Sequence, residues 1–183
     1  MSDNDGSPHD CSKSISSHEP RDTPIGIVPT PWDHPHSVQL RQAQRLEITS
    51  LGGIDPGTPP TAADVAVYLV AYDRGHPVGC GGLRRLVSTS GGLDDAAEIK
   101  RMFVEQSHRG RLVGPGQPVA AMILAALEEA ALRMGVRLLK LETGGFLKQA
   151  RAFYERQGFT ECTAFGAYTN STNSVFYEKI IGI

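Results

Sequence analysis

The segment HRGRLVGPGQPVAA, residues 108–121, combines arginines, glycines and prolines at the start of an apolar helical pattern. Glycines let a backbone come close to a ligand, and the free N–H groups at a helix N-terminus favour an anion. Arg109 and Arg111 add positive charge and forked donors that suit a phosphate. The segment therefore predicts an anion-binding loop. The alternative is a surface loop in which the glycines only turn the chain.

Two well-known phosphate-binding loops do not fit this segment. No Gly-Lys-Ser or Gly-Lys-Thr sequence follows the glycines, which excludes a P-loop. Gly114-Pro115-Gly116 is followed by valine at position 119 where a dinucleotide fingerprint has glycine, and the preceding strands are predicted to be antiparallel. The loop must therefore belong to another class of fold.

Hydrophobic periodicity predicts the elements that position this loop. One helix is predicted before the first strands, a second directly after the loop, and a third, short helix later in the chain. Helices are predicted over residues 38–51, 119–134 with Pro118 at the first helical position, and 147–157. Strands are predicted over residues 65–73, 77–87, 96–105, 136–142, 159–162 and 174–180. This order predicts an α/β (α+β) fold, a mixed, mostly antiparallel sheet of about six to seven strands flanked by helices.

Composition indicates the domain organisation and the cellular location of the protein. Residues 1–35 are rich in Ser, Asp, Pro and His and show no period, which predicts a disordered or loosely packed tail before a domain of residues 36–183. No apolar run is long enough for a membrane span and the N-terminus has no apolar signal core, so we expect a cytoplasmic protein without a membrane partner.

Charge and cysteine usage exclude further classes. The formal net charge of −2 disfavours a nucleic-acid partner. The three cysteines are too scattered for a disulfide framework or a zinc site, so no metal is expected.

Three segments carry a resemblance to a known family: AEIKRMFVEQSHRGR, AMILAALEEAALRMGVRLLKLETG and ARAFYERQGF. Together they resemble the GNAT superfamily of acetyl-CoA-dependent N-acetyltransferases, over about residues 36–180. The resemblance implies that acetyl-CoA is the cosubstrate and that an acetyl group is moved to a primary amine, which we call the acceptor. Direct transfer in a ternary complex is expected, because no cysteine lies beside a general base in the sequence.

The resemblance also implies which residues bind coenzyme A. Arg111-Leu112-Val113-Gly114-Pro115-Gly116 matches the family's pyrophosphate pattern Gln/Arg-x-x-Gly-x-Gly/Ala. Alignment on the following helix instead gives the last Gly/Ala position to Ala120 and makes about six residues near 112–117 an insertion. Both alignments stay open, so the predicted pyrophosphate contacts are Arg109, Gly110, Arg111, Gly114, Gly116, Val119, Ala120 and Ala121. The backbone of Met102, Phe103 and Val104 is expected to contact the acetyl and pantetheine groups, where this strand splays from the next.

Acetyl transfer needs a base for the acceptor ammonium and a proton for the leaving thiolate. Tyr154 resembles the family's tyrosine near the coenzyme sulfur and is the predicted general acid; the alternative is a core aromatic residue. Glu98 resembles the general-base glutamate of some members; the alternative is a strand-surface residue paired with Lys100 or Arg101. Glu142 and water are the other candidates for the base.

The acceptor site is expected between the first helix and the loop before the last strand. Arg41 and Arg45 on that helix, with Phe165 and Tyr168 in the loop, are the predicted lining. Arginines suit an acceptor with a carboxylate or phosphate, but solvated arginines on an exposed face are an equal alternative. The predicted partner is a small-molecule amine, with a peptide or protein amine, or an inactive acetyl-CoA-binding module, as alternatives. A homodimer stays open.

Overall fold

The structure of the chain, a computed structural model, describes residues 24–53, 59–87, 93–110, 112–113, 116–168 and 172–182. Three α-helices alternate with strands along the described ranges. The helices are α1 (Pro35–Ser50), α2 (Val119–Arg133) and α3 (Lys148–Arg156). The strands are β1 (Gly26–Pro29), β2 (Val65–Asp73), β3 (His76–Val87), β4 (Leu93–Val104), β5 (Leu112–Val113), β6 (Gln117–Pro118), β7 (Leu138–Gly144), β8 (Thr160–Cys162) and β9 (Ser174–Ile180).

Seven strands form one sheet in the order β1-β2-β3-β4-β7-β9-β8, and β5 pairs with β6 in a separate small hairpin. Within the large sheet, β4 and β7 are parallel and the other neighbouring strands are antiparallel. A parallel pair needs a crossover connection, and α2 supplies it between β4 and β7. The predicted mixed, mostly antiparallel fold is confirmed.

The two faces of the sheet are covered differently. On one face, α2 contributes six buried residues to the main core, and α3 adds Tyr154. On the other face, Leu40 of α1 packs with Tyr68 and Val70 of β2 and Cys80 of β3 in a smaller cluster. Residues on successive positions of a strand point to opposite faces, so β4 sends Ala97 and Ile99 into the main core. Glu98, which lies between them, is thereby directed to the other face.

The N-terminal boundary of the predicted tail is corrected by the structure. Gly26–Pro29 is an edge strand that pairs with Leu69 to Tyr72 of β2, and Ile25 before it is buried. Four residues next to several prolines are too few for a detectable period, which is why the sequence placed them in the tail. The pairing comes from the neighbouring strand, which is a tertiary contact.

The start of α2 also differs from the prediction. Pro118 is the N-cap, one position before the first helical residue, and it ends the small β5–β6 hairpin. Of the described loop residues, Leu112 and Val113 pair with Pro118 and Gln117, and the chain enters α2 at Val119. This arrangement agrees with an insertion that leaves the start of the helix in place.

Candidate active site

The parallel pairing of β4 with β7 is short. It runs from Ala96–Leu138 to Ile99–Leu141 and then stops, although both strands continue. A register shift between Cys80 and Gly82 of β3 marks a bulge in β4, and Arg101 within it has a φ of 59°. Bulges bend a strand and increase its twist, so β4 turns away from β7 after Ile99. The splay expected for this strand is present.

The splay opens a cleft of about 120 Å³, which we call the β4–β7 cleft. Two strands, two helices and the β7–α3 connection supply its walls. The lining residues are Gln44 and Ile48 of α1, Ile99, Lys100, Arg101 and Met102 of β4, Glu142, Thr143 and Gly144 of β7, Phe146, Leu147, and Ala150 and Tyr154 of α3.

Tyr154 combines a buried ring with a place in the cleft wall. Its ring packs edge-on against Phe153 and Phe159, with centroids 5.2 and 5.7 Å away. Burial raises the pKa of Tyr154 well above its usual value, and the charge of Glu142 raises that pKa further. The phenol is protonated at neutral pH, as any proton donor must be, and the raised pKa makes it a weaker acid than an exposed tyrosine.

Glu142 lies at the splayed end of β7 and lines the same cleft. It accepts a hydrogen bond of 2.6 Å from the Ser174 hydroxyl on β9. The side chain is only partly buried, so an acceptor in the cleft can reach it. Of the two predicted carboxylates, this is the one that the structure brings into the cleft with Tyr154.

Glu98 occupies a different environment. It is fully buried and belongs to a set that we call the buried charged cluster, formed by Arg84, Glu98, Lys100 and Tyr168. Its Oε2 accepts from Arg84 Nε at 3.1 Å and Nη2 at 2.5 Å, and its Oε1 accepts from the Tyr168 hydroxyl at 2.7 Å. Lys100 Nζ lies 3.2 Å from Oε1. Glu98 does not line the cleft, and its oxygens are occupied by the cluster.

The strand residues expected to contact acetyl and pantetheine groups lie beside the cleft. Met102 lines it, and its carbonyl accepts a 2.9 Å hydrogen bond from Gln44 Nε2. Phe103 packs against the smaller core cluster, and the Val104 carbonyl accepts a 2.7 Å bond from Arg109 Nε. Gln44 was missed by the sequence reasoning, because nothing in a lone glutamine of a surface helix marks it as a site residue.

The predicted pyrophosphate loop is described in part, since Arg111, Gly114 and Pro115 lie outside the described residues. Arg109 donates at 2.7 Å to Glu47 of α1, which ties the loop to that helix. Gly110 and Gly116 have φ of 67° and 80°, a backbone region that favours glycine.

The start of α2 offers donors to an anion. Its N-cap, Pro118, makes no side-chain hydrogen bond to the helix. The first N–H groups, those of Val119, Ala120 and Ala121, have no acceptor within the helix itself. Such groups are the ones that bind a phosphate at a helix start.

The predicted acceptor residues are not brought together. Arg41 donates to the Trp32 carbonyl at 2.7 Å and its guanidinium stacks on the Trp32 ring at 3.7 Å, whereas Arg45 is exposed. Tyr168 lies in the buried charged cluster, and Phe165 packs on it with centroids 5.5 Å apart. None of these four residues lines the cleft, whose basic lining residues are Lys100 and Arg101.

These features fit an acyl-coenzyme A. The cleft reaches between two strands whose pairing has ended, so backbone groups of β4 beyond Ile99 have no partner on β7 and can bind the amide-rich pantetheine. Among the described residues no group of three or more His, Cys, Asp or Glu could hold a metal ion. None of the helices in the described ranges has the length and apolar character needed to cross a membrane.

Sequence comparisons agree with this geometry. A sequence model of the acetyltransferase (GNAT) domain matches residues 64–161. An IAA acetyltransferase from Azospirillum brasilense is 37% identical over 112 residues, 61% of this chain and 66% of that protein. The uncharacterized N-acetyltransferase YjgM from Escherichia coli K12 is 36% identical over 94 residues, 51% of this chain and 50% of that protein. The matched parts span less than two thirds of either relative.

Solved structures share the fold. A Klebsiella pneumoniae protein described as an acyl-CoA N-acyltransferase superposes with a TM-score of 0.69 at 28% identity, covering 86% of this chain and 98% of that one. A GNAT acetyltransferase from Staphylococcus aureus gives 0.66 at 17% identity, covering 86% and 99%. The PaiA N-acetyltransferase from Thermoplasma acidophilum, solved with coenzyme A, gives 0.60 at 12% identity, covering 86% and 99%. At such low identity the last two show the fold alone.

Proposed function

The chain belongs to the GNAT acetyltransferase family and is an acyltransferase; from this we propose that it moves an acetyl group from acetyl-CoA to the primary amine of a small molecule. One observation carries the proposal. The β4–β7 cleft holds a protonated phenol, Tyr154, and a carboxylate, Glu142, in one small space between splayed strands. A cleft of about 120 Å³ suits a small acceptor better than a folded protein surface.

We assign the proton transfers to the residues in the cleft. Acetyl-CoA supplies the activated thioester carbonyl. Glu142, held by Ser174, accepts the proton that the acceptor ammonium must lose before its nitrogen can attack. Tyr154 donates its phenolic proton to the departing sulfur. Glu98 acts in this proposal as a positioning residue that fixes β4 through Arg84 and Lys100.

Direct transfer between the two substrates is supported by the state of the described cysteines. Burial raises the pKa of Cys80 to about 12, and its thiol donates to the Arg101 carbonyl at 3.4 Å. Burial also raises the pKa of Cys162, on the edge strand β8. A thiol must ionise to act as a nucleophile, so neither residue suits a covalent acetyl-enzyme route.

The pyrophosphate is assigned to the start of α2, with Val119, Ala120 and Ala121 as donors and Arg109, Gly110 and Gly116 in the preceding loop. The uncapped helix N-terminus supports this choice. Arg109 bonds Glu47 and Val104 in the structure, so its contact with phosphate requires it to exchange one of these bonds. Arg111 and Gly114 stay predictions from the sequence pattern.

Two measurements test the proposed function. Acetyl-CoA should raise the thermal unfolding temperature, free coenzyme A should compete for the same site, and ATP and NAD should not. Release of the coenzyme A thiol, followed with a panel of primary amines, should exceed the release without amine. Binding of acetyl-CoA with no amine-dependent release for any small amine or peptide would instead indicate an inactive binding module, and release with peptides alone would move the acceptor to that class.

A further inference from the structure

Phe146, in the connection between β7 and α3, has its ring in a close-fitting seat. A Cβ atom added to Gly144, the last residue of β7, would lie 2.6 Å from the ring, and one added to Gly53, just beyond α1, would overlap the ring as well. The ring can lie here only because both positions are glycine. Ile48 of α1 adjoins the same seat, since its Cγ2 would lie 2.9 Å from a Cβ on Gly53. The ring therefore contacts the ends of both β7 and α1.

The seat leaves a large part of this ring uncovered. Phe146 is 44% exposed, and it lines the β4–β7 cleft together with Ile48. A single exposed apolar side chain is common on protein surfaces and needs no explanation. Here, however, the exposed ring belongs to the wall of the candidate active site and has a second apolar residue beside it. A ligand that covers this wall gains free energy by removing apolar surface from water.

Coenzyme A and the acceptor must approach the splayed strands from different sides. Helices α1 and α2 cover opposite faces of the large sheet. The pyrophosphate is assigned to the start of α2, so the coenzyme occupies that side. The acceptor therefore comes from the face that α1 covers. Ile48 belongs to α1 and Phe146 packs at its end, so both residues border the path of the acceptor.

The charged residues of the cleft wall have partners or tasks of their own. Lys100 is held by Glu98 at 3.2 Å and by the Tyr168 hydroxyl at 2.5 Å. Arg101 also has an interaction partner within the described part of the chain, and Glu142 is the proposed base. A second charged group on the acceptor would lie against Phe146 without a hydrogen-bond partner, which is costly. An apolar group would not meet this cost.

We propose that the acceptor is a primary amine that carries an alkyl or aryl chain and no second charge, and that Phe146 and Ile48 bind this chain at the α1 side of the β4–β7 cleft. The proposal rests on the proposed function and narrows its acceptor class. The two residues determine specificity by direct contact with the chain. They take no part in the proton transfers, which are assigned to Glu142 and Tyr154.

The first test uses the unmodified protein and acceptors of matched size, compared by kcat/KM at saturating acetyl-CoA. From ethylamine to pentylamine, each added methylene should raise kcat/KM about fourfold. Pentylamine should exceed 4-aminobutanol, which has a hydroxyl in place of its terminal methyl group, by about tenfold or more. 1,4-Diaminobutane and 4-aminobutanoate, which add a charge at the far end, should be poorer still. Equal rates across these amines, or a preference for a charged one, would overturn the proposal.

The second test uses variants of Phe146. Phe146→Ala should lower the ratio of pentylamine to 4-aminobutanol about three- to tenfold and leave the KM for acetyl-CoA near its original value, whereas Phe146→Leu, which keeps an apolar side chain, should retain most of the ratio. Leu132→Ala is the matched control, because Leu132 is 41% exposed and lies outside the cleft lining. An unchanged ratio in Phe146→Ala would contradict the proposal. A raised KM for acetyl-CoA with an unchanged ratio would assign the ring to the pantetheine arm instead.

Failure of this inference and failure of the proposed function give different results. Acetylation of amines without a preference for apolar chains leaves the acetyltransferase activity and rejects the role of Phe146. If acetyl-CoA binds and no amine is acetylated, the proposed function fails. Calorimetric titration of the coenzyme A-loaded protein with pentylamine and with 4-aminobutanol then still measures whether the apolar chain is bound. The comparison of amines on the unmodified protein needs no variant, so it decides the question even where the loss of the ring weakens folding.

Discussion

The junction between β4 and β7 has two halves that differ in structure and in chemistry. In the first half, up to Ile99 and Leu141, the strands are paired, and Glu98 is buried and forms ion pairs with Arg84 and Lys100. In the second half the pairing has ended, and Glu142 and Tyr154 line the cleft. The same two strands thus supply a rigid base and an open site. Substitutions in the paired half should reduce stability, and those in the splayed half should reduce turnover.

The largest expected effect lies in the splayed half. Tyr154→Phe removes the phenolic proton and keeps the packing ring, so kcat should fall roughly ten- to a thousandfold while the affinity for acetyl-CoA is maintained. Tyr177→Phe is the control, because Tyr177 is also buried but its hydroxyl bonds Glu155 outside the cleft. An unchanged kcat in Tyr154→Phe would reduce Tyr154 to a packing residue.

Glu142→Gln tests the base in the same half. We expect kcat/KM to fall by about tenfold to a hundredfold, since water can replace part of the function of a lost base. A carboxylate base works only when it is ionised, so kcat/KM of the original enzyme should rise with pH as Glu142 loses its proton. This rise is the acidic limb of the pH profile, and Glu142→Gln should lack it. If the acidic limb of the pH profile persists in Glu142→Gln and disappears in Glu98→Gln, the general base is Glu98.

Glu98→Gln should act mainly on stability. It leaves Arg84 and Lys100 without their shared carboxylate, and removal of one partner from a buried ion pair costs about 3 kcal/mol or more. Denaturant unfolding measures the loss, and kcat for the folded fraction should change less than in Glu142→Gln. A stable Glu98→Gln protein with lost turnover would contradict the division between the two halves.

The smallest effect concerns the bulge where the halves meet. Arg101 has a φ of 59°, a conformation that costs a residue with a side chain about 1 kcal/mol and costs glycine little. Arg101→Gly should therefore have a free energy of unfolding about 1 kcal/mol higher than Arg101→Ala, which lacks the same side chain but keeps the strain. Equal stability of the two variants would show that the backbone relaxes at this position.

Much of the fold followed from local patterns. The strand predicted over residues 65–73 matches β2, and that over residues 174–180 matches β9, because apolar, aromatic and β-branched residues predominate in both. Tyr154 was found from a family motif that places it on a short helix. Such features depend on residues close in sequence, so the sequence alone can show them.

The charged half of the site could not be predicted in this way. Glu98 meets Arg84 across the β3–β4 ladder and Tyr168 from a loop 70 positions away, and no local pattern encodes these contacts. Arg41 was expected to face an acceptor, but it stacks on Trp32, a residue that the composition had placed in a tail. Both outcomes depend on tertiary packing, in which one distant partner redirects a side chain.

The two edges of the large sheet have a consequence for solution behaviour. The edge strands are β1, with four residues ending in a proline, and β8, with three residues that include the exposed Glu161. Short edges with proline or charge give another chain few backbone groups to pair with, which protects a sheet from growing into aggregates. Within the described part of the chain, the sheet therefore carries its own protection against strand addition, separate from the chemistry at its centre.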